Sequence, residues 1–294
     1  MSNASILKAK GLKAKKSFGQ NFLEDRSVLE RIADLCEITP EQKNVLEIGA
    51  GLGALTAVIA ERGARVVAIE RDRDLAPLLR ARFQDIPAVE VVEANALVMD
   101  LPSLAARLGT LTVCGNLPYN LTSPLIFRAL AQVGAWQRLV VMVQKEVADR
   151  MVAPPGSRTF GLLSVMLRGQ LNVRSAFDVP PQAFHPRPKV WGSMVVMTPR
   201  DKPVDGAMLP AYGRVAKAAF AGRRKTIRNG LKPLLDNVDA VLAEAGVDPG
   251  IRAETLDIDV FGRLAIVAAR HGLKGANEPV DADLDEEDGD AGAA

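Results

Sequence analysis

Cysteine, histidine, aromatic residues and long apolar runs are all scarce in this 294-residue chain, and each scarcity excludes something. The two cysteines, Cys36 and Cys114, lie far apart with no metal-type spacing, so a structural zinc site is not expected. A reduced, cytoplasmic interior fits them best, with both thiols buried as small apolar groups. His185 and His271 are isolated from any Cys or His partner at ligand spacing, and no metal is expected. Aromatics are only 4%, so Leu, Val, Ile and Ala must fill the core. No stretch approaches the roughly 18 apolar residues that a membrane span needs. The opening MSNASILKAKGLKAKKSFGQ lacks the apolar region of a secretion signal. What is present is ordinary globular material, 48% hydrophobic and 24% charged, enough for one large domain or a medium and a small one.

The net charge of +2 conceals an asymmetry. Residues 275–294 hold eight acids and no base, and the remainder carries 37 bases against 27 acids, a formal +10. A basic body suggests a polyanionic partner, although a merely soluble basic protein has the same balance. The acidic tail, rich in Asp, Glu, Gly and Ala, is expected to be disordered. At the other end, Lys8, Lys10, Lys13, Lys15 and Lys16 make residues 1–16 read as a mobile basic arm.

Between residues 44 and 143 short apolar runs alternate with helical patterns. The runs are Val45–Ile48, Val66–Ile69, Val89–Val92, Leu111–Cys114 and Leu139–Val143. This alternation predicts βαβ units and a mostly parallel sheet. Leu171–Val179 and Val190–Met197 follow without a long helix between them, which predicts an antiparallel finish. Ahead of the sheet, Ser27 and Glu30 suggest a capping box for a helix through Cys36. The Pro- and Asp-containing stretch Pro199–Pro210 predicts a linker, and 211–274 reads as all helical. The expected division is therefore an arm to residue 16, an α/β domain over 17–200, a helical domain over 201–274 and a tail over 275–294.

In open parallel sheets ligands bind beyond the carboxyl ends of the strands. After the first run come Gly49, Gly51 and Gly53, which permit a tight turn and close backbone approach to a ligand; a plain strand-to-helix turn needs the same residues. The second run ends at Glu70, placed to accept both hydroxyls of a ribose, in either a nicotinamide cofactor or S-adenosylmethionine. After the third, Asn95 is suited to meet a base edge or to cap a turn. The fourth runs into Asn116-Leu-Pro-Tyr119, the most specific signal of the chain. A polar amide, a proline and an aromatic at a strand end have little value as packing. Pro118 stiffens the turn, and Tyr119 offers a flat face to a base.

With these segments in order, the chain resembles the ribosomal RNA adenine dimethyltransferases of the kasugamycin-resistance type. The resemblance runs from about Lys16 to Leu273. It is carried by Phe18-Gly-Gln-Asn-Phe-Leu23, Glu47-Ile-Gly-Ala-Gly-Leu-Gly53, Asn116-Leu-Pro-Tyr119, Gln144-Lys-Glu-Val147, Ala183-Phe-His-Pro-Arg-Pro-Lys-Val190 and Arg223-Arg-Lys-Thr-Ile-Arg-Asn229. It implies a Rossmann-like S-adenosylmethionine-dependent methyltransferase sheet with a small all-helical C-terminal domain. It implies that Asn21, Leu23, Gly49, Glu70, Asn95 and Asn116 meet S-adenosylmethionine, with no metal. It implies that Asn116 and the Pro118 carbonyl accept the two N6–H bonds of a target adenine held between Tyr119 and Phe184. The expected partner is 16S rRNA in the immature small ribosomal subunit, the product dimethyladenosine on two adjacent adenosines, and the enzyme a cytoplasmic monomer without a membrane role. Large-subunit methylation of the macrolide-resistance type and a non-catalytic assembly role are the competing readings. Two positions depart from the family pattern: Asn95 stands where an Asp is usual, and Trp191-Gly192 where Asp-Ser or similar is usual.

The C-terminal region adds a basic cluster over 214–232 with no acid inside it. Lys217, Arg223, Arg224, Lys225, Arg228 and Lys232 are the candidate RNA contacts. Lys217, Arg224, Arg228 and Lys232 are expected on one helical face opposite Phe220, Ile227 and Leu231.

Overall fold

Every apolar run of the first two-thirds becomes a strand. The computed structural model describes residues 9–15, 18–222 and 224–275, with the Asn120 side chain left aside. The strands are β1 (Phe22–Leu23), β2 (Asn44–Ile48), β3 (Arg65–Glu70), β4 (Val89–Glu93), β5 (Leu111–Asn116), β6 (Trp136–Gln144), β7 (Leu171–Val179), β8 (Phe184–His185) and β9 (Gly192–Pro199). Seven of them form one sheet in the order β4-β3-β2-β5-β6-β9-β7. The pairs β3–β4, β2–β3, β2–β5 and β5–β6 are parallel, and β6–β9 is antiparallel. Strands β1 and β8 pair separately, with Phe22 opposite His185 and Leu23 opposite Phe184. Val45, Leu46, Val66, Val67, Val113 and Cys114 are all buried, as expected where helices cover both faces of a parallel sheet.

Helices α1 (Arg26–Leu35), α2 (Ala54–Glu61), α3 (Ala76–Phe83), α4 (Leu101–Leu108), α5 (Thr122–Leu130) and α6 (Lys145–Val152) connect the strands. The cap of α1 is Asp25 rather than the expected Ser27: its carboxylate accepts the Ser27 and Val28 N–H groups. Cys36, at the C-terminal end of α1, and Cys114, on β5, are both free thiols and both buried.

The chain divides into two compact units. One is Met1–Ala148 with Arg174–Thr198, and the other is Asp149–Val173 with Pro199–Ala294. Residues 149–173 therefore group with the C-terminal helices, ahead of the boundary expected at 200. The reason is a tyrosine: Tyr212 is fully buried in the second unit and donates its hydroxyl to the Val165 carbonyl at 2.8 Å. Three of the few aromatics join it there. Phe220 meets Phe160 edge-on at 6.0 Å and stacks on Phe261 at 5.7 Å. The helices of this unit are α7 (Leu162–Arg168), α8 (Leu209–Phe220), α9 (Ile227–Leu231), α10 (Val238–Ala245) and α11 (Ile258–His271).

The basic segment over 214–232 is not one helix. The chain leaves α8 after Phe220, and Thr226 starts α9 by accepting the Asn229 N–H. Gly222 lies in the break, where helix is least favoured. The N-terminal arm also differs from expectation in its described part. Leu12 and Ala14 pack against Phe22, Leu52 and Leu75, so residues 12–15 dock. Residues 1–8 and 16, and the tail after 275, lie outside the described residues.

Candidate active site

The carboxyl ends of β2, β3, β4 and β5 open onto one cavity within the first unit. Its floor begins with the glycine turn. Gly49 and Gly51 have φ of 71° and 58°, a region that side chains with a Cβ rarely adopt. A Cβ on Gly51 would also stand 3.2 Å from the Phe22 ring. The turn feeds α2, whose N-terminal end adds a positive dipole toward the cavity.

Glu70 closes the opposite side. Its Oε2 accepts the Gly51 N–H at 2.7 Å and its Oε1 the Asp72 N–H at 2.7 Å. Each carboxylate oxygen keeps a further lone pair, so two vicinal hydroxyls can still be bound. Burial pushes the Glu70 pKa up, although the backbone N–H groups of Asp72, Gly51 and Arg71 oppose it. Glu47 also lines the cavity, and no sequence signal had singled it out. It is 2% exposed and accepts the Thr56 hydroxyl at 2.5 Å. Burial lifts it to about 8, against the pull of Thr56 and with a push from the Glu70 charge. The motif Glu47-Ile-Gly-Ala-Gly already held the signal: an acid between Leu46 and Ile48 in a buried strand needs a reason to be there.

The segment Phe18–Leu23 forms a wall. It is fastened to the turn after β3 through Asp72. Gln20 donates to Asp72 Oδ2 at 2.7 Å, and Lys15 pairs with Asp72 at 2.6 Å and with Asp74 at 2.7 Å. Burial alone would raise the Asp72 pKa, but these donors and the Asp74 N–H bring it below the usual carboxylate value. Asn116, at the end of β5, joins this wall: its Nδ2 donates to the Asn21 carbonyl at 2.9 Å. That bond fixes the amide plane and leaves Oδ1 as a free-standing acceptor.

Asn21, Leu23, Gly49, Glu70, Asn95, Asn116, Pro118 and Tyr119 all line the cavity. Three details differ from expectation. Asn95 spends its Oδ1 on the Leu97 N–H at 3.1 Å, so it is a turn cap as well as a wall residue. The Pro118 carbonyl accepts the Leu121 N–H at 2.9 Å and the Thr122 hydroxyl at 3.3 Å. It is committed to the turn into α5, which removes it as the N6–H acceptor; the Leu117 carbonyl, one residue earlier, carries neither bond. Phe184 is 3% exposed and sits in the core cluster with Leu23, Val28 and Met142, because pairing of β8 with β1 turns it inward. It does not line the cavity, whose aromatics are Phe18, Phe22 and Tyr119, the last half-buried with its hydroxyl pKa raised by burial.

Of the basic candidates in the second unit, Lys217, Arg224, Lys225 and Lys232 are exposed. Arg223 lies outside the described residues. Arg228 does have an acid to pair with: Asp239 on α10 accepts from its Nε and Nη2 at 2.6 and 2.7 Å. An ion pair across two helices could not be seen in the acid-free stretch 214–232.

A glycine turn, a ribose-directed carboxylate and an amide-proline-aromatic strand end on a sheet of this order define an S-adenosylmethionine-dependent methyltransferase acting on an amino nitrogen. Solved structures agree. The 23S rRNA methyltransferase ErmE matches with a TM-score of 0.67 and 29% identity, covering 85% of this chain and all of that one. A dimethyladenosine transferase from Plasmodium falciparum shares the fold, with a TM-score of 0.70 over 86% of this chain and 98% of that one at 22% identity. Residues 11–270 match the family model described as ribosomal RNA adenine dimethylase, and the chain belongs to that family. Relatives named ribosomal RNA small subunit methyltransferase A are 45% identical in Hahella chejuensis, over 90% of this chain and 96% of theirs, and 46% identical in Anaeromyxobacter sp. strain K, over 88% and 95%.

Proposed function

We propose that this protein dimethylates N6 of two adjacent adenosines near the 3′ end of 16S rRNA, within the immature small ribosomal subunit, as a cytoplasmic monomer. The small-subunit relatives at 42–46% identity favour this substrate over the large-subunit one, whose solved representative is 29% identical. The observation that carries the chemistry is the Asn116 amide, which lines the cavity and is held by its donation to the Asn21 carbonyl.

The residues fit S-adenosylmethionine: Glu70 retains lone pairs for ribose hydroxyls, and the glycine turn admits close backbone approach. When bound, it supplies a methyl group on a sulfonium, already a strong electrophile. What the protein must add is position and a usable lone pair, because the adenine N6 lone pair is delocalised into the ring. Asn116 Oδ1 and the Leu117 carbonyl are the two acceptors for N6–H. Together they favour a pyramidal nitrogen with its lone pair turned to the methyl group. Tyr119 stacks on the base and offsets its loss of stacking in RNA by about 1–3 kcal/mol. Holding the two centres in line is worth up to about 7–11 kcal/mol. Methyl transfer would leave N6 cationic, with an acidic N–H held by Asn116 Oδ1 and the Leu117 carbonyl until solvent water takes the proton, and the donor would depart as a neutral thioether. One N6–H remains after the first transfer, so the second can proceed in the same site. Lys217, Arg224, Lys225 and Lys232 supply phosphate contacts.

Incubating the protein with S-adenosylmethionine and unmodified small subunits, then digesting the RNA for mass spectrometry, tests the proposal. Dimethyladenosine in adjacent positions of 16S rRNA is expected. Methylation of large-subunit RNA alone, or none, would overturn it.

A further inference from the structure

The departure at Trp191 has no part in the site described above. Trp191 is 49% exposed and its neighbour Val190 42% exposed, two of the few large apolar side chains of the described residues that face solvent. They end a stretch, His185 to Trp191, in which His185, Arg187 and Lys189 are also exposed. Among the described residues neither Arg187 nor Lys189 is in an ion pair. Pro188 disfavours helical backbone at Arg187, the residue before it.

Its place in the sheet connects it to the chemistry. Asn116 on β5 pairs with Met142 on β6, which pairs with Met194 on β9. Trp191 lies three residues before Met194, and its carbonyl accepts the Lys145 N–H at 2.9 Å. It stands at the same edge of the sheet as Asn116, displaced by two strand spacings, about 10 Å, and by about 10 Å along the strands. A nucleotide flanking the target adenosine would cover that distance.

We propose that Trp191 is a stacking platform for an unpaired base of the RNA next to the methylated adenosine, with Arg187 and Lys189 holding the adjoining phosphates. An exposed indole beside two unpaired cations has the chemistry of single-stranded RNA recognition: the ring takes any base face, and the cations take the backbone. The charge argues against a basic or neutral apolar partner. The proposal rests on the RNA-methylating reading above and adds to it a base-binding subsite outside the cavity.

Trp191→Ala, Trp191→Phe and the parent full-length chain are compared for affinity toward unmethylated small subunits. Trp191→Ala should weaken binding by about 5- to 100-fold, the loss of one stacked base, and Trp191→Phe should recover most of it. Calorimetric titration with S-adenosylhomocysteine should be the same for all three, which also shows that the variants are folded. A second readout does not need methylation. Trp136 is buried at 2% exposure, so a single-stranded adenosine-rich RNA oligonucleotide should quench the emission of Trp191 selectively, and Trp191→Phe should remove that quenching. Unchanged subunit affinity in Trp191→Ala overturns the proposal, as does an emission that responds to anionic phospholipid vesicles and not to RNA. If 16S rRNA proves not to be the substrate, quenching by the oligonucleotide still decides whether Trp191 binds a base.

Discussion

Replacing Asn116 with Ala removes two contacts of different kinds. The side-chain oxygen is one of the two acceptors proposed for N6–H, and on that proposal its loss falls on the transition state. Removing one such preorganised partner costs about 10²–10³ in kcat, or about 2.7–4 kcal/mol. The side-chain nitrogen holds the Asn21 carbonyl at 2.9 Å, and its loss falls on the wall that faces the methyl donor. One neutral hydrogen bond is worth about 0.5–1.5 kcal/mol, so donor affinity should fall by at most about tenfold. RNA affinity should hardly change, because the basic residues of the second unit are untouched. Asn116→Asp separates the two effects. The carboxylate keeps an acceptor for N6–H but cannot donate to Asn21, so it should bind the donor as poorly as Ala while retaining more of kcat. Dimethyladenosine formation by mass spectrometry of digested RNA and calorimetry with S-adenosylhomocysteine measure the two quantities. A kcat near the parent value in the Ala variant would refute the role of Asn116, and normal donor affinity in both variants would refute the coupling through Asn21.

Glu47 should make stability fall as pH rises: its folded pKa of about 8 lies above the ordinary 4.5, so its contribution is complete below the unfolded value and is lost as pH climbs toward 8. Glu47→Gln still accepts the Thr56 hydroxyl, and urea denaturation on either side of that window should show a flatter pH profile; parallel profiles would refute the assignment. Asn95→Ala loses the cap on Leu97 and a cavity contact, and should cost about 1 kcal/mol in thermal stability and a similar amount in donor binding, whereas Asn95→Asp keeps both. If Ala binds the donor as tightly as the parent, Asn95 is a cap only. Arg224→Ala with Lys225→Ala should reduce the salt slope of RNA binding by up to about one unit for each lost phosphate contact, and Arg228→Ala by less because Asp239 already holds it. Equal effects from both would refute the distinction.

Strands β2 to β6 were legible because each holds a short apolar run, as a sheet covered on both faces requires; the two-residue strands β1 and β8 carry no such run. The residues lining the cavity were legible because strand ends of a parallel sheet converge: Gly49, Glu70, Asn95 and Asn116 fall on four successive ends. Contacts set by distant pairing were not. Phe184 faces the core only because β8 pairs with a two-residue strand at the other end of the chain. The Pro118 carbonyl is lost to a turn whose hydrogen bonds depend on where α5 begins. Arg228 sits on a helix that Thr226 opens after the break following Phe220, and its partner Asp239 lies on the next helix. Lys15 docks because Asp72, more than fifty residues away, is presented at the turn after β3.

The pairing of Phe22 with His185 has a consequence for synthesis. The segment that walls the cavity is among the first parts of the chain to be made, yet its strand partner is among the last of the α/β unit. Long-range pairings of this kind form late, since loop closure must come first. A nascent chain can therefore assemble the glycine turn and the parallel strands while its N-terminal wall still lacks a partner. Until β8 is made, Asn21 has no paired strand after it to hold its carbonyl against Asn116. The completed site thus reports that nearly the whole α/β unit has been translated, and an abortive product ending before residue 184 would carry the glycine turn without a competent amide.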